Sequence, residues 1–164
     1  MYETKIVHIQ NVNFTYNKAR SGGSIAIEMH SFLFILNSIF YQNIVYEHGG
    51  AIYFNSHQNY NKSSISISDC ICYNFHSSSS TLGQNGIALL TVLNVLIMVM
   101  KTVNFEIIVI DSASVETAIE LKLKHLLMTR VNYKSSSSLV YFLDVSSLSS
   151  LRFTVISFEC PISV

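Results

Sequence analysis

Apolar and polar residues alternate along this chain in short bursts, and each burst closes on an aromatic or small apolar residue. The clearest are "IQNVNF" (9–14) and "ILNSIF" (35–40), followed by "ISDCIC" (67–72), "MKTVNF" (100–105), "MTRVNY" (128–133) and "FTVISF" (153–158). The first position is always large and apolar. The fourth (Val12, Ser38, Cys70, Val103, Val131, Ile156) is apolar or small. The last forms the series Phe14, Phe40, Cys72, Phe105, Tyr133, Phe158, and the third is polar in all but Val155. Alternation at a period of two predicts strands with one face buried.

A second set of blocks lies between the hexamers: "GGSIAI" (22–27), "GGAIYF" (49–54), "NGIALL" (85–90), "TAIELK" (117–122) and "SLVYFL" (138–143). Successive hexamers end 26, 32, 33, 28 and 25 residues apart. Helical repeats of fixed length do not vary so freely, whereas a coil of stacked strands lets extra residues loop outward without disturbing the stack. The pattern predicts an all-β, right-handed parallel β-helix of about six rungs. Strands lie about 4.8 Å apart and equivalent residues form ladders, aromatic inside and Asn/Asp/Thr at a bend. Residues 115–128 offer a competing helix through Glu120 and Lys124, four apart. Ile119, Leu121 and Leu123 keep strand period, so a strand is expected there.

The paired glycines fit this geometry. Gly22-Gly23 and Gly49-Gly50 follow Phe14 and Phe40 at similar distances, and each pair precedes a small residue and an isoleucine. A sharp corner needs positive φ or close backbone approach, so both pairs are expected at corners.

Composition sharpens the picture mainly by exclusion. Apolar residues make up 49% and charged residues 12% of the 164, with equal numbers of acids and bases. No basic field invites nucleic acid. Ser and Asn runs suit polar turns between strands. Cys70, Cys72 and Cys160 are too few for a disulfide framework. The stretch 86–100 is apolar but falls short of the roughly 20 residues of a membrane helix; a buried strand is expected, with a membrane anchor as the alternative. No signal peptide is visible at residue 1.

"FTYN" (14–17) followed by "GGSI", and "FYQN" (40–43) followed by "GGAI", resemble the paired FxxN and GGA[ILV] motifs of polymorphic outer-membrane proteins. Those are surface adhesins or autotransporter passengers with β-helical repeats. Similar motifs occur in pectin-lyase-like right-handed β-helix proteins. The resemblance implies a solenoid and an extracellular or cell-surface location. Later rungs depart from both motifs: Cys72 replaces the aromatic, and the fifth and sixth repeats carry neither signature.

A β-helix invites a search for polysaccharide chemistry. Hydrolysis of a glycosidic bond needs two carboxylates facing one another, and lyase chemistry needs a base and clustered acids. Asp69, Asp111 and Asp144 fall on different rungs, and Glu116 and Glu120 lack an acid partner. Six scattered histidines lack metal-ligand spacing. Cys70 and Cys72, two apart on one strand face, are expected as buried thiols. The sequon at Asn13 falls within a strand, and that at Asn61 lies in a polar turn.

The expected function is therefore non-catalytic: a rigid structural or adhesive module with no cofactor and no metal. Its turns 55–64 and 77–84, including Asn55, His57, Tyr60 and Asn61, would contact a protein or glycan ligand. The alternative is a degenerate carbohydrate-binding β-helix using Tyr53, Tyr60 or Tyr73. Solenoid ends are open edges, so the single domain 1–164 is expected to continue into a longer solenoid or to stack end to end.

Overall fold

The computed structural model describes residues 5–28, 31–48, 50–56, 63–77, 90–111, 116–135 and 140–159. Thirteen strands follow in order. The first eight are short: β1 (Lys5–Gln10), β2 (Asn13–Thr15), β3 (Lys18–Ser21), β4 (Ile25–Ile27), β5 (Ser31–Leu36), β6 (Ile39–Tyr41), β7 (Ile44–His48) and β8 (Ile52–Asn55). The remaining five are longer: β9 (Ser64–Ser77), β10 (Leu90–Asp111), β11 (Glu116–Ser135), β12 (Val140–Ser146) and β13 (Ser150–Glu159). All pairings are parallel, and each joins a strand to its counterpart one coil later. The molecule is a β-solenoid.

The hexamers stack in the register read from the sequence. Ile9 pairs with Ile35, Ile35 with Ile67, Ile67 with Met100, Met100 with Met128 and Met128 with Phe153. The closing column runs Phe14, Phe40, Cys72, Phe105, Tyr133, Phe158. Phe14 and Phe40 stack with ring centroids 5.0 Å apart, close to the strand spacing. Side chains at the first, fourth and sixth hexamer positions of the middle rungs fill the core, where Leu33, Ile35, Phe40, Met100, Val103, Met128 and Val131 are wholly buried.

Inward positions one and four are three residues apart, one more than a flat strand allows. The extra residue is the third, and its backbone is left-handed on every rung: Asn11 (φ 57°), Asn37 (47°), Asp69 (54°), Thr102 (54°), Arg130 (54°) and Val155 (54°). A single left-handed residue turns the chain sharply while the next side chain still points inward. Asn and Asp take this conformation at little cost, but a β-branched side chain is strained in it.

A second inward column follows the glycine corners. Ile25 pairs with Ile52, Ile52 with Leu90, Leu90 with Ile119 and Ile119 with Leu143. This corrects the block alignment. Leu90, last residue of "NGIALL", stands opposite Ile52, the fourth of "GGAIYF"; Ile119 is the third of "TAIELK" and Leu143 the last of "SLVYFL". Residues 90–100 belong to β10 and 116–128 to β11, so neither the membrane helix over 86–100 nor the helix over 115–128 forms there. Among the described residues no helix is long and apolar enough to cross a membrane.

Candidate functional site

The two motif-bearing coils show what each signature residue does. In "FYQN", Phe40 fills the core, Gln42 turns with φ 50°, and Asn43 folds back inside. The buried Asn43 carboxamide accepts from the Asn17 backbone N–H (3.1 Å) and from Asn17 Nδ2 (2.9 Å), and its Nδ2 donates to the Phe14 carbonyl (3.0 Å). Asn43 thus satisfies the backbone at a corner where the sheet ladder is interrupted. Tyr16 makes the matching left-handed turn (φ 56°) on the coil before.

At the following corner Gly22 is buried with φ 60°. A Cβ there would lie 2.2 Å from the Ile25 carbonyl oxygen, so the position excludes any side chain. Gly23 and Gly50 are buried beside it on their coils. Ser24 and Ile25 N–H both donate to the Ala51 carbonyl, at 3.0 and 3.2 Å. Gly49 lies outside the described residues.

The hexamer bend carries a device of its own. Ser38 Oγ donates to the Leu36 carbonyl (2.9 Å), and Cys70 Sγ donates to the Ser68 carbonyl (3.1 Å), both spanning the left-handed residue. Cys70 and Cys72 are buried free thiols. Burial pushes both thiols up from their ordinary value; the neighbouring Cys70 adds to the effect at Cys72. Such thiols stay protonated and are poor nucleophiles.

Of the expected contact loop, Asn55 is described. Its Nδ2 donates to the Tyr53 hydroxyl (3.2 Å), and its Oδ1 accepts from Asn94 Nδ2 (3.0 Å) across coils. Asn55 therefore braces the corner. His57, Tyr60 and Asn61 lie outside the described residues, as do 78–84. Tyr53 is buried, which removes it as an open platform for a sugar. Tyr73 belongs to a surface ladder that sequence reading missed: it stacks on Tyr41 (5.1 Å, 4°), and Tyr16 meets Tyr41 edge-on (5.5 Å). Tyr41 and Tyr73 spend ring faces on each other. Desolvation, then the Tyr16 hydroxyl, raise the Tyr41 phenol. The signal was present in the register: Tyr41 and Tyr73 each follow the last hexamer position.

Outward columns carry amide and hydroxyl ladders. Asn37 Nδ2 donates to Asn11 Oδ1 (2.7 Å), Asn132 Nδ2 to Asn104 Oδ1 (2.7 Å), and Ser157 Oγ to Asn132 Oδ1 (2.5 Å). Asn13, within β2, is exposed. Among the described residues no three His, Cys, Asp or Glu side chains gather to hold a metal ion. Among the described residues no strand pairs with the outer edge of β13, and Leu151, Phe153, Val155 and Phe158 are exposed.

Residues 37–55 match the model of the Chlamydia polymorphic membrane protein repeat. That span runs from the Asn37 bend through Phe40, Asn43 and the glycine pair to Asn55. No curated protein and no solved structure matches the chain.

Proposed function

We propose that this β-solenoid repeat protein is a non-catalytic structural or adhesive module of a cell surface, carrying loops on a rigid stack. The observation behind this reading is the coincidence of motif and mechanism over residues 37–55. The segment that matches a surface-protein repeat is the one where Asn43 folds inside and bonds the Phe14 carbonyl, and the glycine corner one coil earlier, at Gly22, has no room for a side chain. The chemistry there is spent on backbone satisfaction and close packing. Such a stack holds outward side chains at fixed spacing, the form an adhesive surface needs. Loop insertions between coils then alter what is displayed without altering the scaffold.

The test is to add the purified, fluorescently labelled chain to intact host-type cells and to soluble polysaccharides. The reading expects saturable cell binding, competed by unlabelled chain, with no new reducing ends or unsaturated products from the polysaccharides. Turnover of any polysaccharide, or cell binding no greater than that of a β-solenoid of unrelated sequence, would overturn it.

A further inference from the structure

The formal net charge of the chain is zero, yet its cations are unevenly placed on the first sheet face. On the first three coils the outward columns read His8, Phe34, Ser66 and Gln10, Leu36, Ser68. The next three coils continue the same columns as Val99, Leu127, Arg152 and Lys101, Thr129, Thr154. Arg130 stands at the adjoining bend, where its left-handed backbone directs the side chain outward. Lys101, Arg130 and Arg152 are all exposed. Residues 97–103, 125–131 and 150–156 of this face contain no Asp or Glu; the acid nearest in register is the exposed Asp69, one coil earlier at the bend and next to Ser68, the partner of Lys101.

We infer that this face, on β10, β11 and β13, binds a linear anionic polysaccharide bearing carboxylates or sulfates. Strands about 4.8 Å apart place the Cα atoms of Lys101 and Arg130 on neighbouring coils and that of Arg152 on the next, roughly 10 Å along the axis. The cations thus form a fixed triangle over three coils, Arg130 one position beyond the Lys101 column and Arg152 two positions before it, which offers repeated charges to an extended polymer. Arginine forks pair bidentately with carboxylate or sulfate oxygens. Thr129, Thr154 and Ser150 supply hydroxyls between the cations, and His125 Nδ1 lies 2.7 Å from Ser150 Oγ. Val99 and Leu127, half-buried, offer the apolar strip on which the C–H face of a sugar ring rests.

A nucleic acid fits less well. Duplex DNA carries a charge about every 1.7 Å and demands more cations than these three supply. The face is lateral, so it stays open whether or not further coils follow β13. The inference rests on the adhesive reading above but can fail separately from it.

The test measures binding of the full chain to immobilised heparin, polygalacturonate, neutral dextran and duplex DNA by interferometry. The triple variant K101Q/R130Q/R152Q is compared with K5Q/K18Q/R20Q, which removes equal charge from the first coil. Wild type should bind heparin or polygalacturonate, more weakly as salt rises, and the face variant should lose about tenfold or more. The first-coil variant should bind as wild type does, and R152Q alone should show a partial loss with an unchanged unfolding midpoint. Equal binding to dextran, tighter binding to DNA, or no loss in the face variant would overturn the inference. In the last case intact adhesion to cells would leave the adhesive reading standing.

Discussion

The first two coils, residues 5–56, and the last three, residues 97–159, stack in one register but make their corners differently. In the early coils several corner positions have a dedicated residue, Asn at the hexamer bend, Asn43 inside the next turn and Gly22 at the one after, beside the left-handed Tyr16 and Gln42. In the late coils the hexamer bend is identical in φ but is occupied by Thr102, Arg130 and Val155, residues that do not favour it. The early strands are three to six residues long, whereas β10 and β11 run 22 and 20 residues through their bends. Once early coils set the shape, a neighbour's ladder holds the next coil in it, and local preference becomes dispensable. In a solenoid this is expected, because each coil's stability is largely its interface with the last.

The largest effect should come from the core column. Phe40 is fully buried and Phe158 is 57% exposed. Phe40→Ala should cost about 3–5 kcal/mol in denaturant unfolding and Phe158→Ala less than about 1. Equal losses would mean that the last coil is covered like the others.

Next come the signature residues. Gly22→Ala, forcing a Cβ against the Ile25 carbonyl at positive φ, should cost about 2–3 kcal/mol. Asn43→Ala strands the Asn17 donors and the Phe14 carbonyl and should cost about 2 kcal/mol. Alanine at Thr102, exchanging one disfavoured occupant for another, should change little by comparison; a loss as large as that at Gly22 would erase the distinction between the halves.

The third coil lies between the two regions and replaces the aromatic by Cys72. Folding raises its thiol pKa, so below about pH 8.5 both states hold the proton and the group is neutral in its effect. Above that the unfolded chain releases a proton the folded chain keeps, and stability falls by about 1.4 kcal/mol per pH unit for such a thiol. Unfolding midpoints between pH 8 and 10 should fall more steeply for wild type than for Cys72→Ala; parallel curves would show an accessible thiolate.

The smallest effect is a gain. Val155 is 69% exposed at φ 54°, so Val155→Asn should relieve strain with little loss of packing and add about 1 kcal/mol. The reverse change, Asn37→Val, should cost a similar amount plus its bond to Asn11.

The same contrast explains how much was legible. The hexamer register could be read because the bend fixes inward positions at one, four and six, a spacing no regular strand produces. The second column was misaligned because it lacks such a mark: Leu90, Ile119 and Leu143 sit on plain alternation, where a shift leaves the pattern intact. The tyrosine ladder and the basic triangle were invisible because each joins residues more than 20 apart, and only a correct register brings them together. Asn55 read as a loop residue from its polar surroundings, but its bonds to Tyr53 and Asn94 make it a brace.

The central claim is that successive hexamers lie side by side in parallel. Nuclear Overhauser effects between selectively labelled methyl groups test it directly. The account predicts strong cross-peaks between Ile35 and Ile67 and between Met100 and Met128, each pair in register on neighbouring strands. If Leu123 instead showed contacts to Leu127 at helical spacing, and Met128 none to Met100, the stacked-coil account would be contradicted.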